Sequence, residues 1–155
     1  MNISHAGIEL IKRFESIRLK AYPDPKTGGD PWTVGWGATG SGIGPDTIWT
    51  QAQCDMRLLD DIAEREKVIA KKVLTTTQGQ FDAWVSILFN VGHGSPRRDG
   101  VIELKDGRPS TLLRKFNEGD IPGAEEQWLK WVSPGSSVTK GLTRRRQAEL
   151  ELFRS

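Results

Sequence analysis

Cysteine and histidine are scarce in this 155-residue chain, which has one cysteine, Cys54, and two histidines, His5 and His93. A lone thiol forms no internal bridge and anchors no ordinary zinc cluster, and so few imidazoles make metal catalysis unexpected. Surplus charge is scarce too. Lys plus Arg total 22 against 20 Asp plus Glu, a net charge of +2, which leaves no broad footprint for nucleic acid. The sequence pI of 8.8 still permits attraction to an anionic polymer. Long apolar runs are missing from the first residues, where Glu9, Lys12 and Arg13 interrupt every hydrophobic stretch. The expectation is no cleavable signal peptide, no membrane anchor and no stable membrane association, so a substrate outside the cytoplasm requires a separate agent of delivery. Internal repeats, coiled-coil heptads and low-complexity tracts are absent.

Hydrophobic residues make up 36% of the chain and charged residues 27%, an ordinary soluble composition. At this length folding removes roughly 68–70% of the unfolded chain's surface from water, enough for a core without staples. One domain, with or without a small lobe, is expected. Ile8, Ile11 and Glu15 follow helical spacing behind Ser4 as N-cap. From Ile17 the pattern changes to alternation, with Ile17, Leu19 and Ala21 on one face, and turn formers crowd Asp24 to Pro31. This predicts a small antiparallel sheet with long loops. The glycine-rich stretch from Trp32 to Gly40 suits an edge or site-lining strand.

Helices follow. Thr50 with Gln53 forms a capping box ahead of Leu59, Ile62, Glu66, Ile69 and Val73, predicting a helix of about six turns that connects two lobes. Thr77 with Gln80 opens the stripe Phe81, Trp84, Val85 and Leu88, the candidate central helix, which Gly92 and Gly94 stop. Asp99-Gly100 and Asp106-Gly107 flank Val101 to Leu104, a short hairpin or an exposed loop. Ser110 caps a helix to Phe116, Asp120 caps another reaching Trp128 and Trp131, and Leu142, Arg145, Glu149 and Leu152 share a face of the last.

Two carboxylates stand on either side of a change in secondary structure. Glu15 ends an apolar helical stripe, surroundings that suit a proton donor, and Asp24 lies in a polar turn between Pro23 and Pro25, a setting for a base or an electrostatic partner. The structural alternatives are a solvated helix end and an ordinary turn residue. Trp32, Trp36 and Trp49 suit stacking on sugar rings or local packing, whereas Trp84, Trp128 and Trp131 occupy helical positions of a core. Arg144, Arg145 and Arg146 point in three directions about 100° apart on a helix, so at least one faces inward and requires a carboxylate. Arg145 is expected inward between Leu142 and Leu152 and paired with Glu15; the alternatives are that it binds only Glu149, four residues on, and that Arg146 takes the inward place.

Taken together, Gly7 to Glu15, Leu19 with Ala21-Tyr22-Pro23-Asp24, Trp32 to Thr39, Phe81 to Trp84 with Phe89-Asn90-Val91-Gly92, Ser110 to Asn117, and Gly141-Leu142 with Arg145, Arg146 and Glu149 form a series of blocks through most of the chain. The series resembles the phage-type lysozymes, the endolysins of glycoside hydrolase family 24 typified by the phage T4 enzyme. The resemblance implies an α+β lysozyme-like fold, with a small antiparallel β lobe at about residues 16–49, a helical lobe at about 1–15 and 74–155, and a connecting helix at about 50–73. It implies hydrolysis of the β-1,4 bond between N-acetylmuramic acid and N-acetylglucosamine in peptidoglycan, without a cofactor. Glu15 matches the acid, Asp24 the second carboxyl position and Thr33 the residue that holds water. Trp36, Phe89, Asn90 and Ser110 are expected to bind substrate, with Arg145 and Glu149 in support. Also implied are a monomer whose partner is the glycan strand, and a protein held in the host cytoplasm until a holin opens the inner membrane, then acting on the wall in the periplasm. The sequence departs from the pattern in a longer interval between Asp24 and Thr33 and in an insertion between Gly92 and Ser110, read as a surface elaboration. A non-catalytic peptidoglycan-binding protein and a lytic transglycosylase are the alternatives.

Overall fold

The computed structural model describes residues 1–133 and 138–155. Among them the elements run α1 (His5–Glu15), β1 (Arg18–Tyr22), β2 (Thr33–Gly35), α2 (Gln51–Lys72), α3 (Gln78–Val91), α4 (Thr111–Asn117), α5 (Ile121–Trp128) and α6 (Thr139–Phe153), an α+β lysozyme-like arrangement. The chain divides into two compact units, Ile11–Glu64 and Met1–Leu10 with Arg65–Ser155, so α1 and α2 each contribute to both.

In the Ile11–Glu64 unit β1 and β2 pair antiparallel, with Arg18 opposite Gly35 and Tyr22 opposite Thr33. The other edge of β1 is taken by residues 47–49, where Ala21 N–H donates to the Thr47 carbonyl at 2.9 Å and Trp49 N–H to the Leu19 carbonyl at 2.8 Å. The glycine-rich segment therefore forms an outer strand. Alternation in β1 overstates its burial: Ala21 is buried but Leu19 is 45% exposed, because so small a sheet covers little of either face. The capping box of α2 closes in both directions, Gln53 N–H to Thr50 Oγ1 at 3.2 Å and Thr50 N–H to Gln53 Oε1 at 2.8 Å. Its buried side runs through Cys54, Leu58, Ile62, Ile69 and Val73, and Leu59, expected in the stripe, is 53% exposed. The seed of the stripe is Cys54, a thiol acting as a small hydrophobe.

In the other unit Ser4 caps α1, its Oγ accepting from Gly7 N–H at 3.3 Å, and Ser4 N–H donates to buried Asp82 at 2.9 Å. Helix α3 is buried at Phe81, Trp84, Val85 and Leu88, as its stripe requires, and also at Ala83 and Ile87, so it is apolar nearly all round. Thr77 accepts from Gln80 N–H, but the Gln80 side chain returns to Thr76 N–H, one residue earlier than a strict box. Gly79 brings α3 against α6: a Cβ there would stand 2.1 Å from the Leu152 carbonyl oxygen. Trp84, Phe116, Trp128 and Phe153 pack edge to face with centroids 5.1–5.7 Å apart. Trp131, expected in this core, lies beyond the end of α5 and is only half-buried.

The last helix presents a face one residue on from the expected stripe. Arg145, Arg146, Glu149, Leu150 and Phe153 are buried, whereas Leu142 and Leu152 are half-buried. Phe153 draws this face inward by joining the aromatic cluster, and both rival arginines go in with it. Between them lies the Glu149 carboxylate, fully buried. Its Oε1 accepts from Ser86 Oγ at 2.8 Å and Arg145 Nε at 3.3 Å, and its Oε2 from Trp128 Nε1 and Arg146 Nη1, both at 2.9 Å. Residues 92–110 are neither an open loop nor a regular hairpin, because Val101 and Ile102 are buried and the backbone closes on itself through Val101 N–H to the Gly92 carbonyl and Glu103 N–H to the His93 carbonyl.

Removing the Glu149 carboxylate strands two buried guanidinium groups, so Glu149→Ala is expected to lower unfolding free energy by about 3–5 kcal/mol in urea titration. Glu125→Ala, which breaks an exposed pair with Arg154, is expected to cost less than about 1 kcal/mol. Equal losses would show that the buried cluster is no more than a surface pair in effect.

Candidate active site

Glu15 is the last residue of α1, and the helix ends there because Ser16 turns into the left-handed region at φ 56° while its N–H still donates to the Lys12 carbonyl at 3.1 Å. That turn sends the chain into β1 and leaves the Glu15 side chain half-buried. Its carboxylate is seated against Gly37. A Cβ on Gly37 would stand 2.8 Å from Glu15 Oε2, so the carboxylate would have to shift, and the glycine has φ +87°, a backbone conformation that favours glycine there. Gly37 is held in place by the tight turn after β2, where Val34 and Ala38 exchange backbone hydrogen bonds at 3.0 and 2.8 Å.

Thr33 begins β2, half-buried and opposite Tyr22. Two residues beyond Tyr22, Asp24 is also half-buried, with Oδ1 accepting from Lys26 N–H at 2.8 Å. The backbone closes round it: Asp24 N–H donates to the Gly29 carbonyl at 3.0 Å, and the Asp24 carbonyl accepts from Thr27 and Gly28 N–H. The longer interval before Thr33 is thus taken up by a self-bonded turn, with Thr27 Oγ1 donating to the Asp30 carbonyl at 2.7 Å. Glu15, Asp24 and Thr33 all belong to the Ile11–Glu64 unit.

Trp36 belongs there too. Its indole N–H donates to Asp55 Oδ1 at 2.8 Å and the Lys12 ammonium lies 5.4 Å from its ring centroid, so the donor that a sugar would use is already engaged. The same hydrogen bond holds the Asp55 carboxyl below its ordinary range. The other expected residues lie in the second unit. Phe89 is half-buried beneath the Arg65 guanidinium, 5.2 Å from its centroid. Asn90 is half-buried at the end of α3, where Arg146 Nη2 donates to its Oδ1. Ser110 corrects the expectation of a substrate contact: it is fully buried, its hydroxyl donating to the Val101 carbonyl and accepting from Leu113 N–H, which makes it the cap of α4. Arg145 and Glu149 support one another as described. Sequence reasoning did not single out Gly37 or Asp55; the glycine-rich stretch from Trp32 to Gly40, read as an edge or site-lining strand, carried the signal for the first.

Two carboxyl groups and a hydroxyl are thus held by a helix end, a closed turn and a strand start within the Ile11–Glu64 unit. The chain belongs to the phage lysozyme family, whose sequence model matches residues 12–149. It is 40% identical to the endolysin of Bacillus phage B103 over 99% of this chain and 54% of that protein, and so spans about half the length of that relative. It is 38% identical to the endolysin of Acyrthosiphon pisum secondary endosymbiont phage 1 over 100% of this chain and 99% of that one. Among solved structures, the muramidase domain of SpmX from Asticaccaulis excentricus matches with a TM-score of 0.79 at 33% identity, covering 99% of this chain and 98% of that chain.

Gly37→Ala and Gly40→Ala both impose a side chain on a positive φ, but only the first meets a carboxylate. Each is expected to cost about 1–3 kcal/mol in thermal or urea denaturation, Gly37→Ala the more. The excess at Gly37 should vanish in the Glu15→Ala background, as a double-mutant cycle reads directly; a cycle with no coupling would detach Glu15 from its seat. For Asp55, a pKa lowered on folding contributes stability that is present above the unfolded value and is lost as pH falls through the folded one. Trp36→Phe is therefore expected to flatten the loss of stability below about pH 4, measured as urea midpoint against pH.

Proposed function

We propose that the chain is a muramidase that hydrolyses the β-1,4 bond between N-acetylmuramic acid and N-acetylglucosamine in peptidoglycan, and so lyses the host cell as an endolysin. The observation that carries this reading is the Glu15 carboxyl, placed at a helix end against Gly37, whose φ of +87° favours glycine. Glu15 gives its proton to the glycosidic oxygen as the C1–O bond breaks. A water polarised by Asp24 and oriented by the Thr33 hydroxyl adds to C1, and its proton passes to Asp24. Trp36, in the same unit as Glu15, Asp24 and Thr33, contacts the glycan. Asp24 stands on a separate turn from Glu15, beyond the far end of β1, and with Thr33 to hold the water this supports inversion at the anomeric carbon, for which the two carboxyl groups stand roughly 6.5–9.5 Å apart.

The enzyme is a monomer and needs no cofactor. Resemblance to the endolysins supports its residence in the host cytoplasm until a holin-type pore gives access to the wall in the periplasm. Induced cells should then keep their turbidity until a membrane-permeabilising agent is added, and spontaneous clearing would overturn this route.

Glu15→Gln keeps the shape of the side chain and loses only the proton to be donated, so the rate of turbidity loss on purified peptidoglycan is expected to fall by about 10²–10⁴-fold with the circular dichroism unchanged. Asp24→Asn should be severe as well. Near-normal turnover in the Glu15 variant would remove the muramidase reading. Products should be reducing sugars with the α anomer formed first; anhydro sugars would instead mark a transglycosylase, and an inert wild type a wall-binding protein.

A further inference from the structure

The segment that seats Glu15 is rich in conformational freedom. Gly35, Gly37, Gly40 and Gly42 all have positive φ, and a chain so dense in glycine loses more backbone entropy on ordering than an ordinary one. The reciprocal Val34–Ala38 bonds set the shape of the turn, whereas its place is set by α2. The buried face of α2 meets the end of β2, where a Cβ on Gly35 would stand 3.4 Å from Cys54 Sγ. At about 100° per residue, Asp55 and Arg57 project to either side of the face that Cys54 and Leu58 bury. Asp55 Oδ1 accepts from the Trp36 indole N–H at 2.8 Å and from Gln51 Nε2 at 3.1 Å. Arg57 Nη2 donates to the Thr39 carbonyl at 2.9 Å while its Nε donates to Asp61 Oδ1 at 2.9 Å, so one rigid guanidinium plane spans both acceptors. An ordinary pair with Asp61, four residues on, would be complete without the bond to Thr39. Trp36 and Thr39 stand on either side of Gly37, so both flanks of that glycine are tied to one helix. All of these residues belong to the Ile11–Glu64 unit.

We propose that Asp55 and Arg57 are positioning residues for the proton donor: from α2 they clamp the Trp36–Thr39 segment on both flanks of Gly37, and the clamp keeps the Gly37 backbone where it sets the place of the Glu15 carboxyl. The role given to Glu15 rests on the muramidase reading, whereas the clamp is a property of the fold. Misplacing a reacting group by about 1 Å costs on the order of 10²-fold in rate, so a tether that touches no reacting atom still governs turnover. The two arms differ in what else they hold. Asp55 fixes the indole read above as a glycan contact, so its loss falls on binding as well as on rate. Arg57 bonds to a backbone carbonyl and to Asp61, so its loss falls on rate. Asparagine at position 55 keeps an oxygen that accepts the indole N–H. Lysine at position 57 keeps the charge but not the fork that spans Thr39 and Asp61.

Amide hydrogen exchange at Val34 and Ala38 of the intact chain reads the clamp without any substrate. Asp55→Ala combined with Arg57→Ala is expected to speed exchange there by about tenfold or more relative to the amides of α3, and Asp55→Asn to leave it close to wild type. Arg57 is only half-buried, so Arg57→Ala alone carries the same test should the double variant unfold. Turnover of soluble, uncrosslinked peptidoglycan strands is then measured where circular dichroism shows each variant folded. Arg57→Ala and Arg57→Lys should each lower kcat by about tenfold with KM within about twofold of wild type. Asp55→Ala should lower kcat as much and raise KM, and Asp55→Asn should recover most of both. In the Glu15→Gln background the further loss from Arg57→Ala should shrink to about twofold or less, since a clamp that acts through the proton donor then has no donor to place. Unchanged exchange overturns the proposal, and so does faster exchange with kcat unaltered, or a loss of kcat as large in the Glu15→Gln background as in wild type. The two readings fail separately. A wild type without turnover would remove the muramidase reading and leave the clamp to the exchange result, whereas turnover that is indifferent to Asp55 and Arg57 would remove the clamp alone.

Discussion

A single buried carboxylate organises the helical unit. Glu149 accepts four hydrogen bonds from side chains on three helices: Ser86 of α3, Trp128 of α5, and Arg145 and Arg146 of its own α6. Burial pushes its carboxyl up from the ordinary range, and the two guanidinium groups oppose that push with help from the Ser86 and Trp128 bonds. Every one of the four partners donates, so the constellation is satisfied by the carboxylate form. A hydrophobic cluster is tolerant of small rotations, but four directed bonds on two oxygens are not. The network therefore sets the rotation of α6 about its axis and the approach of α5 to α3, and it ends at Asn90, whose amide is oriented by the second nitrogen of Arg146.

The Ile11–Glu64 unit works by a different means. Its core is small, and precision comes from the backbone: a left-handed Ser16 closes α1, positive-φ glycines at 35 and 37 make the turn after β2, and reciprocal Val34–Ala38 bonds lock that turn. Each left-handed non-glycine residue costs on the order of 1–3 kcal/mol, a cost that persists only where surrounding contacts hold it. Here the holding contacts are those that seat Glu15. The Asp24 turn follows the same logic, since the bonds that close it also orient one carboxylate oxygen. Asp24 as a turn former and Asp24 as a base are therefore compatible readings of one geometry.

What could be read from residues alone follows the range of the interaction. Local devices were legible: the Thr50–Gln53 box, Ser4, Ser110 and Asp120 as caps, and the stripe of α3 all act within four residues. The order Glu15, Asp24, Thr33 was legible only as a resemblance to the family to which the chain belongs. Features decided by partners far away in sequence were not legible. Leu59 and Cys54 compete for the inner face of α2, and the outcome depends on which side packs, not on hydropathy. The rotation of α6 is decided by Phe153 joining Trp128 and Phe116, contacts that cross 25 residues or more. Ser110 illustrates the reverse error: its place in a family block suggested substrate, whereas its hydroxyl is consumed by a cap.

The insertion shows how an elaboration acquires a fixed shape without regular structure. Gly94 and Gly100 come so close that a Cβ on Gly100 would stand 2.1 Å from Gly94 N, and a Cβ on Gly94 would stand 1.9 Å from the Glu103 carbonyl oxygen. Such contacts allow the segment to fold back and bury Val101 and Ile102, which anchor it as a hydrophobic plug. The Ser110 hydroxyl joins that plug to the start of α4 through the Val101 carbonyl. A loop tethered at both ends and in the middle holds its tip in a defined place, and the tip is Pro96-Arg97-Arg98-Asp99, between the paired Ser95 and the close-packed Gly100. Charges on an untethered loop would be averaged over many positions and would contribute little selectivity. On this one the backbone of Arg98 is held by reciprocal bonds with Ser95, while its exposed side chain keeps its rotamer freedom.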